Sequence, residues 1–390
     1  MGDSLVRLNF GDGEPVLAWT SMTHRETFSD PIGSLEFTAQ PLEPDVRQYA
    51  EKLQKGELCA LLVDGKPQAA MLVETVDTEV SPDGGVSFSV KASTPLKNIF
   101  QAEIDPKFFR KLQADTPLLD LVAEVLEPFG VGEVIVEDDV AVIRTKTGKN
   151  PKATPTAKLK IKKGEIQGNS NETVYGFLAR VLTRLGVMLR MDAVIGSCYI
   201  TAPHYDGEAL YGCKQSLATT GPSGLDRFFG KVTIHDSNDR QFSFCEVYGN
   251  QSQQSGETFS GPPNARVLST DINKQRPPYR AIEAFAHKPA FRTSKSCKDN
   301  VQARSHGKMV LGLEAQYAFY VKGTVDGLVS MTGAPWTVDT LGRVVIEAVG
   351  FDEQMWLAER TMSADARGGQ QTELVWIPPG NFVIGEAGAS

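Results

Sequence analysis

The segment Glu172–Ala202 most constrains the fold, because a helical pattern there changes within a few residues into a strand pattern. The apolar residues of its first half repeat with the spacing of one buried helical face; they are Val174, Phe177, Leu178, Val181, Leu182 and Leu185. Thr173 is placed to cap this helix and Gly186 to end it. Leu189 and Arg190 then fall on opposite faces of a strand, and a second strand follows after a turn. The segment predicts a helix followed by a β-hairpin.

Most of the remaining chain alternates apolar and polar residues, as half-buried strands do. Asp64 and Gly65 separate two apolar runs and predict a tight hairpin. A second hairpin is predicted around Ser237, and residues 309–327 are predicted as strand. A short helix is expected within residues 43–56.

These patterns predict an α+β chain that is mainly β, with two antiparallel β-barrels and an inserted α+β domain. The predicted division is a first barrel at 1–100, completed in part by 205–250; an insertion at 101–204; a hairpin, polar loop and connecting segment at 205–280; and a second barrel at 281–390. Within the insertion, a helix is predicted between a cap at Thr116 and a stop at Gly130, with Pro117 at its first position.

Composition argues against several classes of protein. The net charge of −8 over 390 residues provides no general basic surface for nucleic-acid phosphates. The five cysteines are widely spaced and contain no CxxC pair, which predicts reduced, buried thiols. The first residues, MGDSLVRLNFGDGEP, lack the apolar run of a signal peptide, and no run of about 18 apolar residues predicts a membrane span.

The sequence offers no recognisable catalytic pattern. Its five histidines show neither HExxH nor another metal-ligand spacing, and the GxSxG and Walker patterns do not occur. The acidic run at residues 136–139 is explained by a turn between strands. The sequence therefore predicts a protein that is not an enzyme, with no catalytic residue, no metal and no cofactor.

Two basic features allow a binding interpretation and a simpler one. The lysine-rich stretch at 146–163 could contact phosphates or an acidic partner, but its prolines and its lack of aromatic residues favour a solvated loop. Arg180 and Arg184 are one helical turn apart opposite the apolar stripe, and Arg190 lies opposite Leu189. A solvated face is expected for all three arginines.

Trp336 directly follows Pro335 between two strand patterns. A tryptophan in this position is usually a core residue, whereas an exposed Pro-Trp loop tip would be an anchor for a partner protein. The residues considered for an interface are therefore Trp336, Pro335, Arg180 and Arg184.

The helix–hairpin segment resembles a signature of the Mu-like tail baseplate hub family of contractile-tailed phages. The match is carried by Glu172, Thr173, Phe177, Leu178, Ala179, Arg180, Gly186, Leu189, Asp192 and Gly196. Upstream, Leu121, Val125, Pro128, Phe129 and Gly130 are similar to another helix of the family, and the order of segments through Pro335, Trp336 and the last strands is similar too. The resemblance covers about residues 20–385, although the lysine-rich stretch and the loop at 250–278 do not match.

The resemblance implies a structural protein of the virion, assembled in the host cytoplasm. Family hubs are homotrimers in which each subunit carries two tail-tube-like barrels, so that three chains form a pseudo-hexameric ring. Such a ring joins the six-fold tail tube to the three-fold central spike. The implied partners are the spike, the tube or tube-initiator protein and the surrounding wedge proteins, with DNA passing through the lumen without specific binding.

Two other functions remain open at this point. One is the equivalent hub of a bacterial contractile injection system. The other is a wall-directed tail protein with lytic or peptidoglycan-binding activity, which would need a cleft with two suitably spaced carboxyl groups.

Overall fold

The computed structural model describes residues 4–10, 14–16, 19–81, 85–105, 108, 116–136, 142–145, 152–155, 160–161, 172–183, 187–191, 197–216, 226–237, 239–249, 264–268, 288–294, 300–366 and 369–380. Strands predominate, and thirteen of them belong to one continuous sheet. This confirms the predicted class, a mainly β fold with barrel domains and an α+β part.

The first part of the chain forms a seven-stranded antiparallel sheet. Its strands are β1 (Val6–Phe10), β2 (Glu14–Pro15), β3 (Trp19–Thr27), β4 (Asp30–Ala39), β5 (Leu58–Val63), β6 (Lys66–Ser81) and β7 (Gly85–Ser93). Their order in the sheet is β2-β1-β5-β6-β7-β4-β3. Helix α1 (Val46–Lys52) lies between β4 and β5. Asp64 and Gly65 both have positive φ, which confirms the tight hairpin predicted there.

This sheet is strongly curled. Three strands separate β1 from β4, so a flat sheet would hold these two strands roughly 19 Å apart. The rings of Phe10 on β1 and Phe37 on β4 are nevertheless 5.8 Å apart. The inner face therefore surrounds a common core, to which Leu328 and Met362 from the other end of the chain also contribute. We refer to β1–β7 as the curled sheet.

The insertion contains helices α2 (Lys97–Gln101), α3 (Leu118–Leu126) and α4 (Val174–Thr183). Its strands are β8 (Thr116–Pro117), β9 (Glu133–Val136), β10 (Val142–Thr145), β11 (Lys152–Pro155), β12 (Lys160–Ile161), β13 (Met188–Met191) and β14 (Ser197–Thr201). Strand β14 pairs antiparallel with β13 and parallel with β9. The apolar faces of α3 and α4 share a buried core with this sheet.

The local predictions for the insertion are largely confirmed. The backbone N–H of Gly176 donates to the hydroxyl oxygen of Thr173, 3.0 Å away, as expected for a helix cap. Gly130, in the left-handed conformation, ends the 3-10 turn Glu127–Phe129 that continues α3. The prediction for Thr116 was wrong, because this residue lies in strand β8 and Pro117, which forms no side-chain cap hydrogen bond, occupies the cap position. The predicted stop at Gly186 lies outside the described residues.

The last part of the chain forms a closed six-stranded barrel. Its strands are β15 (Tyr211–Gln215), β16 (Asp226–Asp236), β20 (Phe319–Asp326), β21 (Leu341–Ile346), β22 (Phe351–Asp365) and β23 (Gly369–Ile377), and the pairing of β22 with β23 closes the ring. The barrel is not purely antiparallel as predicted, because β15 pairs in parallel with both β16 and β21. Strands β15 and β16 were expected to complete the first barrel, but their partners are β21 and β20 of this one.

A small three-stranded sheet is built from β17 (Phe244–Gly249), β18 (Asn264–Leu268) and β19 (Pro289–Ser294). Helix α5 (Asn300–Ala318) packs on it, and Gly307 permits the close approach, since a Cβ there would lie 2.8 Å from Val267. The hairpin predicted around Ser237 was wrong, because β16 and β17 belong to different sheets. The strand predicted over 309–327 begins only at Phe319, because the apolar run before it belongs to α5.

The curled sheet and the closed barrel are joined edge to edge. Strand β3 pairs antiparallel with β22 over seven residues, from Thr27 opposite Glu359 to Ser21 opposite Asp365. This pairing also places Met362 of the barrel strand in the core of the curled sheet. We refer to the two joined units as the β framework.

Candidate functional site

A cluster of charged side chains lies where the β framework meets the insertion. Alternation along β3 directs His24 and Glu26 to the same face, and Arg360 is the register partner of Glu26 on β22. The insertion contributes Arg190 from β13. We call these four residues, together with Gln68 of β6, the junction cluster.

Glu26 bridges the two arginines. Its Oε1 atom accepts a hydrogen bond from Nη2 of Arg190 at 2.5 Å, and its Oε2 atom accepts one from Nε of Arg360 at 2.9 Å. The side chains of Arg190 and Arg360 are 5% and 4% exposed, and that of Glu26 is 24% exposed. The Nη1 atom of Arg360 also donates to Oε1 of Gln68 and to the carbonyl oxygen of Trp336.

The protonation states follow from these contacts. Burial by itself raises the pKa of Glu26, but the charges of Arg360 and Arg190 outweigh it and the pKa is lowered. Burial, assisted by the charge of Arg360, lowers the pKa of His24 to about 3, so this imidazole is neutral near pH 7. With two cations, one anion and one neutral ring, the cluster carries one excess buried positive charge.

Arg190 is buried, so the prediction of a solvated side chain was wrong for this residue. The residues of the strand from Val187 to Arg190 are all buried. Leu189 packs in the core of the insertion, whereas Met188 packs with Phe28 and Trp356 of the β framework. The guanidinium group of Arg190 lies 4.7 Å above the ring of Phe28. Strand β13 is therefore covered on both faces, which its alternating pattern alone could not reveal.

A second polar contact anchors the segment that follows the insertion. Asp339 has a positive φ of 66°, and its carboxylate accepts hydrogen bonds from the backbone N–H of His204 at 2.8 Å and from Nε1 of Trp356 at 2.9 Å. The Nδ1 atom of His204 lies 2.6 Å from the second carboxylate oxygen. This aspartate therefore fixes the return of the chain from the insertion to the closed barrel.

The structure distributes the four predicted interface residues differently. Trp336 is fully buried in the closed barrel, with its ring centroid 4.8 Å from that of Tyr211, so the exposed-anchor interpretation was wrong for this side chain. Pro335 is partly exposed, and its carbonyl oxygen accepts a hydrogen bond from the hydroxyl of Tyr211. Arg180 is half-buried and pairs with Glu172 at 2.7 Å. Arg184 lies outside the described residues.

The junction cluster was missed because its members are far apart in the sequence. Glu26 and Arg360 are 334 positions apart, and Glu26 and Arg190 are 164 apart. The available local signal was His24 and Glu26 at alternate positions of a strand whose same face carries Met22. A titratable residue on the inner face of a strand indicates a buried partner, but it does not identify that partner.

Three further observations concern metal binding, thiol reactivity and membrane spans in the described part of the chain. In the described part of the chain, no group of three or more histidine, cysteine or acidic residues is placed to hold a metal ion. Burial raises the pKa of the Cys59 and Cys198 thiols to about 12, so neither is a reactive thiolate near neutral pH. None of the helices within the described ranges is both long and apolar enough to span a membrane.

No protein-family model and no curated protein matches the sequence at a significant level. Solved structures do share the fold. The tail protein from Neisseria meningitidis MC58 has a TM-score of 0.71 at 17% identity, covering 98% of both chains. The 43 kDa tail protein of prophage MuSo2 from Shewanella oneidensis has a TM-score of 0.70 at 18% identity, covering 97% of this chain and 99% of the other.

A weaker likeness is found to a third solved structure. A chain of the Francisella PdpA–VgrG complex has a TM-score of 0.50 at 8% identity, covering 98% of this chain and 58% of the other.

The two tail proteins match almost the whole chain. The chain therefore has the fold of phage tail proteins along almost its whole length, as the resemblance to the baseplate hub family predicted.

Proposed function

We propose that this protein is a structural hub of a contractile phage tail. Three chains would form a ring in which the curled sheet and the closed barrel alternate, giving six similar lobes from three subunits. The observation that carries this proposal is the pair of joined β units within a fold that matches phage tail proteins over 97–98% of the chain. Such a ring can face a six-fold tube on one side and a three-fold spike on the other.

The contacts of the junction cluster support this role because they hold the two β units and the insertion in one arrangement. A ring of alternating units requires a fixed angle between the two units of each subunit. The β3–β22 pairing and the Arg360–Glu26–Arg190 contacts fix this angle and also hold the insertion against both units. The insertion would then lie on the outside of the ring, beside the wedge proteins of the baseplate.

The proposed partners are a second and third copy of this chain, the central spike, the tube or its initiator protein, and the wedge proteins. DNA would pass through the lumen without specific binding, which suits a net charge of −8. We keep Pro335, Arg180 and Arg184 as proposed partner contacts. The protein would be assembled in the host cytoplasm and would act in the tail baseplate of the virion.

The test is assembly of the full chain with the proteins encoded beside it. Particle mass by light scattering and symmetry by electron microscopy would be measured for the chain alone and in the mixture. We expect rings with three-fold symmetry and six similar lobes that carry tube on one face and spike on the other. Only monomers or two-fold particles, in a mixture where tube and spike are folded, would contradict the proposal.

The hub of a bacterial contractile injection system remains the second candidate, because of the likeness to a chain of the PdpA–VgrG complex. The symmetry test does not separate the two candidates, since both predict such a ring. Gene neighbourhood separates them: capsid genes would favour the phage hub, and toxin or ATPase genes the injection system.

We also propose that the chain has no enzymatic activity, since its neighbours in fold are described as tail proteins. A zymogram with purified protein on bacterial cell-wall material checks this against a lytic tail protein, and a cleared band would contradict it. A pull-down with purified peptidoglycan tests the binding form of the same alternative.

A further inference from the structure

The junction cluster borders a cavity of about 350 Å³. Its inner wall includes His24, Glu26, Arg190 and Arg360, and its rim includes the exposed residue Lys66. Ala69 and Met71 add apolar surface. The cavity is thus assembled from the curled sheet, the closed barrel and the insertion, and it exists only when all three are in place.

Arg190 has unused hydrogen-bonding capacity in this cavity. Its Nη2 atom pairs with Glu26, whereas its Nε and Nη1 atoms are buried and have no hydrogen-bond partner among the residues that the structure describes. The Nδ1 atom of His24 is also buried and has no hydrogen-bond partner in the described part of the chain. Buried polar groups of this kind are normally satisfied by protein, water or a ligand, because a charged donor that has lost its water and gained no partner is unfavourable.

The charges around the cavity favour an anion. Among the described lining residues, the two inner arginines face one inner carboxylate, Glu26, and the rim adds one cation and one anion, Lys66 and Asp30. Arg360 is fully engaged by Glu26, Gln68 and the Trp336 carbonyl oxygen, so Arg190 is the one of the two inner arginines that is left with free donors. A guanidinium group is a strong donor to carboxylate, phosphate and sulfate oxygens.

We propose that this cavity binds one small oxyanion through the free N–H groups of Arg190, with His24 Nδ1–H as a further donor. The bound anion neutralises the excess charge of the junction cluster and ties the insertion to the β framework. This inference does not depend on the proposed function, because it follows from the cavity and its donors alone.

The test is thermal unfolding of the full chain in inorganic phosphate, sulfate or acetate, with sodium chloride adjusted to constant ionic strength. A ligand that binds only the folded protein raises the Tm as its concentration passes the Kd. We expect the Tm to rise by a few degrees in at least one of these anions, with the steep part of the rise over a limited concentration range. The same rise is expected for the Arg343→Gln control, in which an exposed arginine outside the cavity is removed, and no such rise for Arg190→Gln.

An equal rise in Arg190→Gln, or no anion-specific rise in the wild type, would overturn the proposal. If Arg190→Gln does not fold, the wild-type protein still provides a decisive measurement. Crystals soaked in selenate should show an anomalous selenium peak within hydrogen-bonding distance of the Arg190 guanidinium group. An empty cavity at saturating selenate would also overturn the proposal.

Discussion

The contacts that join the two units of the β framework differ from those that join the insertion to the framework. The curled sheet and the closed barrel share a strand pairing and a core, since Met362 of the barrel strand is buried among residues of the curled sheet. The insertion has its own core, built on Phe177, Leu178 and Leu182. It meets the framework through Met188 and Arg190 instead of a continuous sheet. A substitution that destabilises one unit of the framework should therefore destabilise the other unit as well, whereas the insertion should be able to unfold separately.

Leu182→Asp should have the largest effect. This side chain is 1% exposed in the core of the insertion, and an unpaired carboxylate there should cost more than about 4 kcal/mol. Hydrogen exchange should show lost protection in α3, α4 and β13–β14, with the closed barrel still protected. Simultaneous loss of protection in the barrel would show that the two regions unfold as one. Wild-type protease resistance would contradict the assigned helix face.

Trp336→Ala is the corresponding change in the β framework. The indole is fully buried against Tyr211, so its removal should lower the free energy of unfolding by about 3–5 kcal/mol. Calorimetry of the isolated chain measures this. An unchanged Tm combined with weaker binding of spike or tube would restore the interface interpretation of this residue.

Met362→Ala tests whether the two β units share stability. The side chain is fully buried in the core of the curled sheet although it lies on β22, and the change should cost about 2–5 kcal/mol. Hydrogen exchange should report weakened protection in both β3 and β22. Loss confined to one strand would show that the two units are independent.

Glu26→Gln tests the boundary between insertion and framework. Removing one carboxylate leaves two buried arginines facing each other, and we expect a loss of about 1–3 kcal/mol, limited by the partial exposure of Glu26. Since the folded pKa of Glu26 lies below its ordinary value of 4.5, its contribution is present above about pH 4.5 and is lost as pH falls through the folded pKa.

Urea unfolding between pH 7 and pH 3 checks this sign. The wild type should lose stability relative to Glu26→Gln as the pH falls through that range. A constant difference in the free energy of unfolding between the two proteins at all pH values would mean that the arginines do not lower the pKa of Glu26.

Arg343→Gln should have the smallest effect. Arg343 and Asp352 pair across β21 and β22 at 2.6 Å, but their side chains are 62% and 49% exposed. Exposed pairs contribute about 0–1 kcal/mol, so the Tm should change little. A loss as large as that of Glu26→Gln would show that burial does not distinguish the two ion pairs.

The elements that could be predicted from the sequence are those whose signals are local. The buried face of α4, its cap at Thr173, the turn at Asp64-Gly65 and the stop at Gly130 are all recognisable within a few neighbouring residues. These features depend on side-chain spacing and on the conformations that individual residues tolerate, so neighbouring residues are sufficient to specify them.

The other features depend on which segments meet in the folded chain, and local patterns do not specify that. Strand β15 pairs in parallel with strands on either side, and α5 takes up the first part of a predicted strand by packing on a sheet. Arg190 is buried against β3, where its partner Glu26 lies 164 positions away. Whether a side chain faces solvent or a second layer depends on what covers it, and alternation along one strand cannot supply that information. The junction cluster and its cavity exist only because three separately patterned regions meet there.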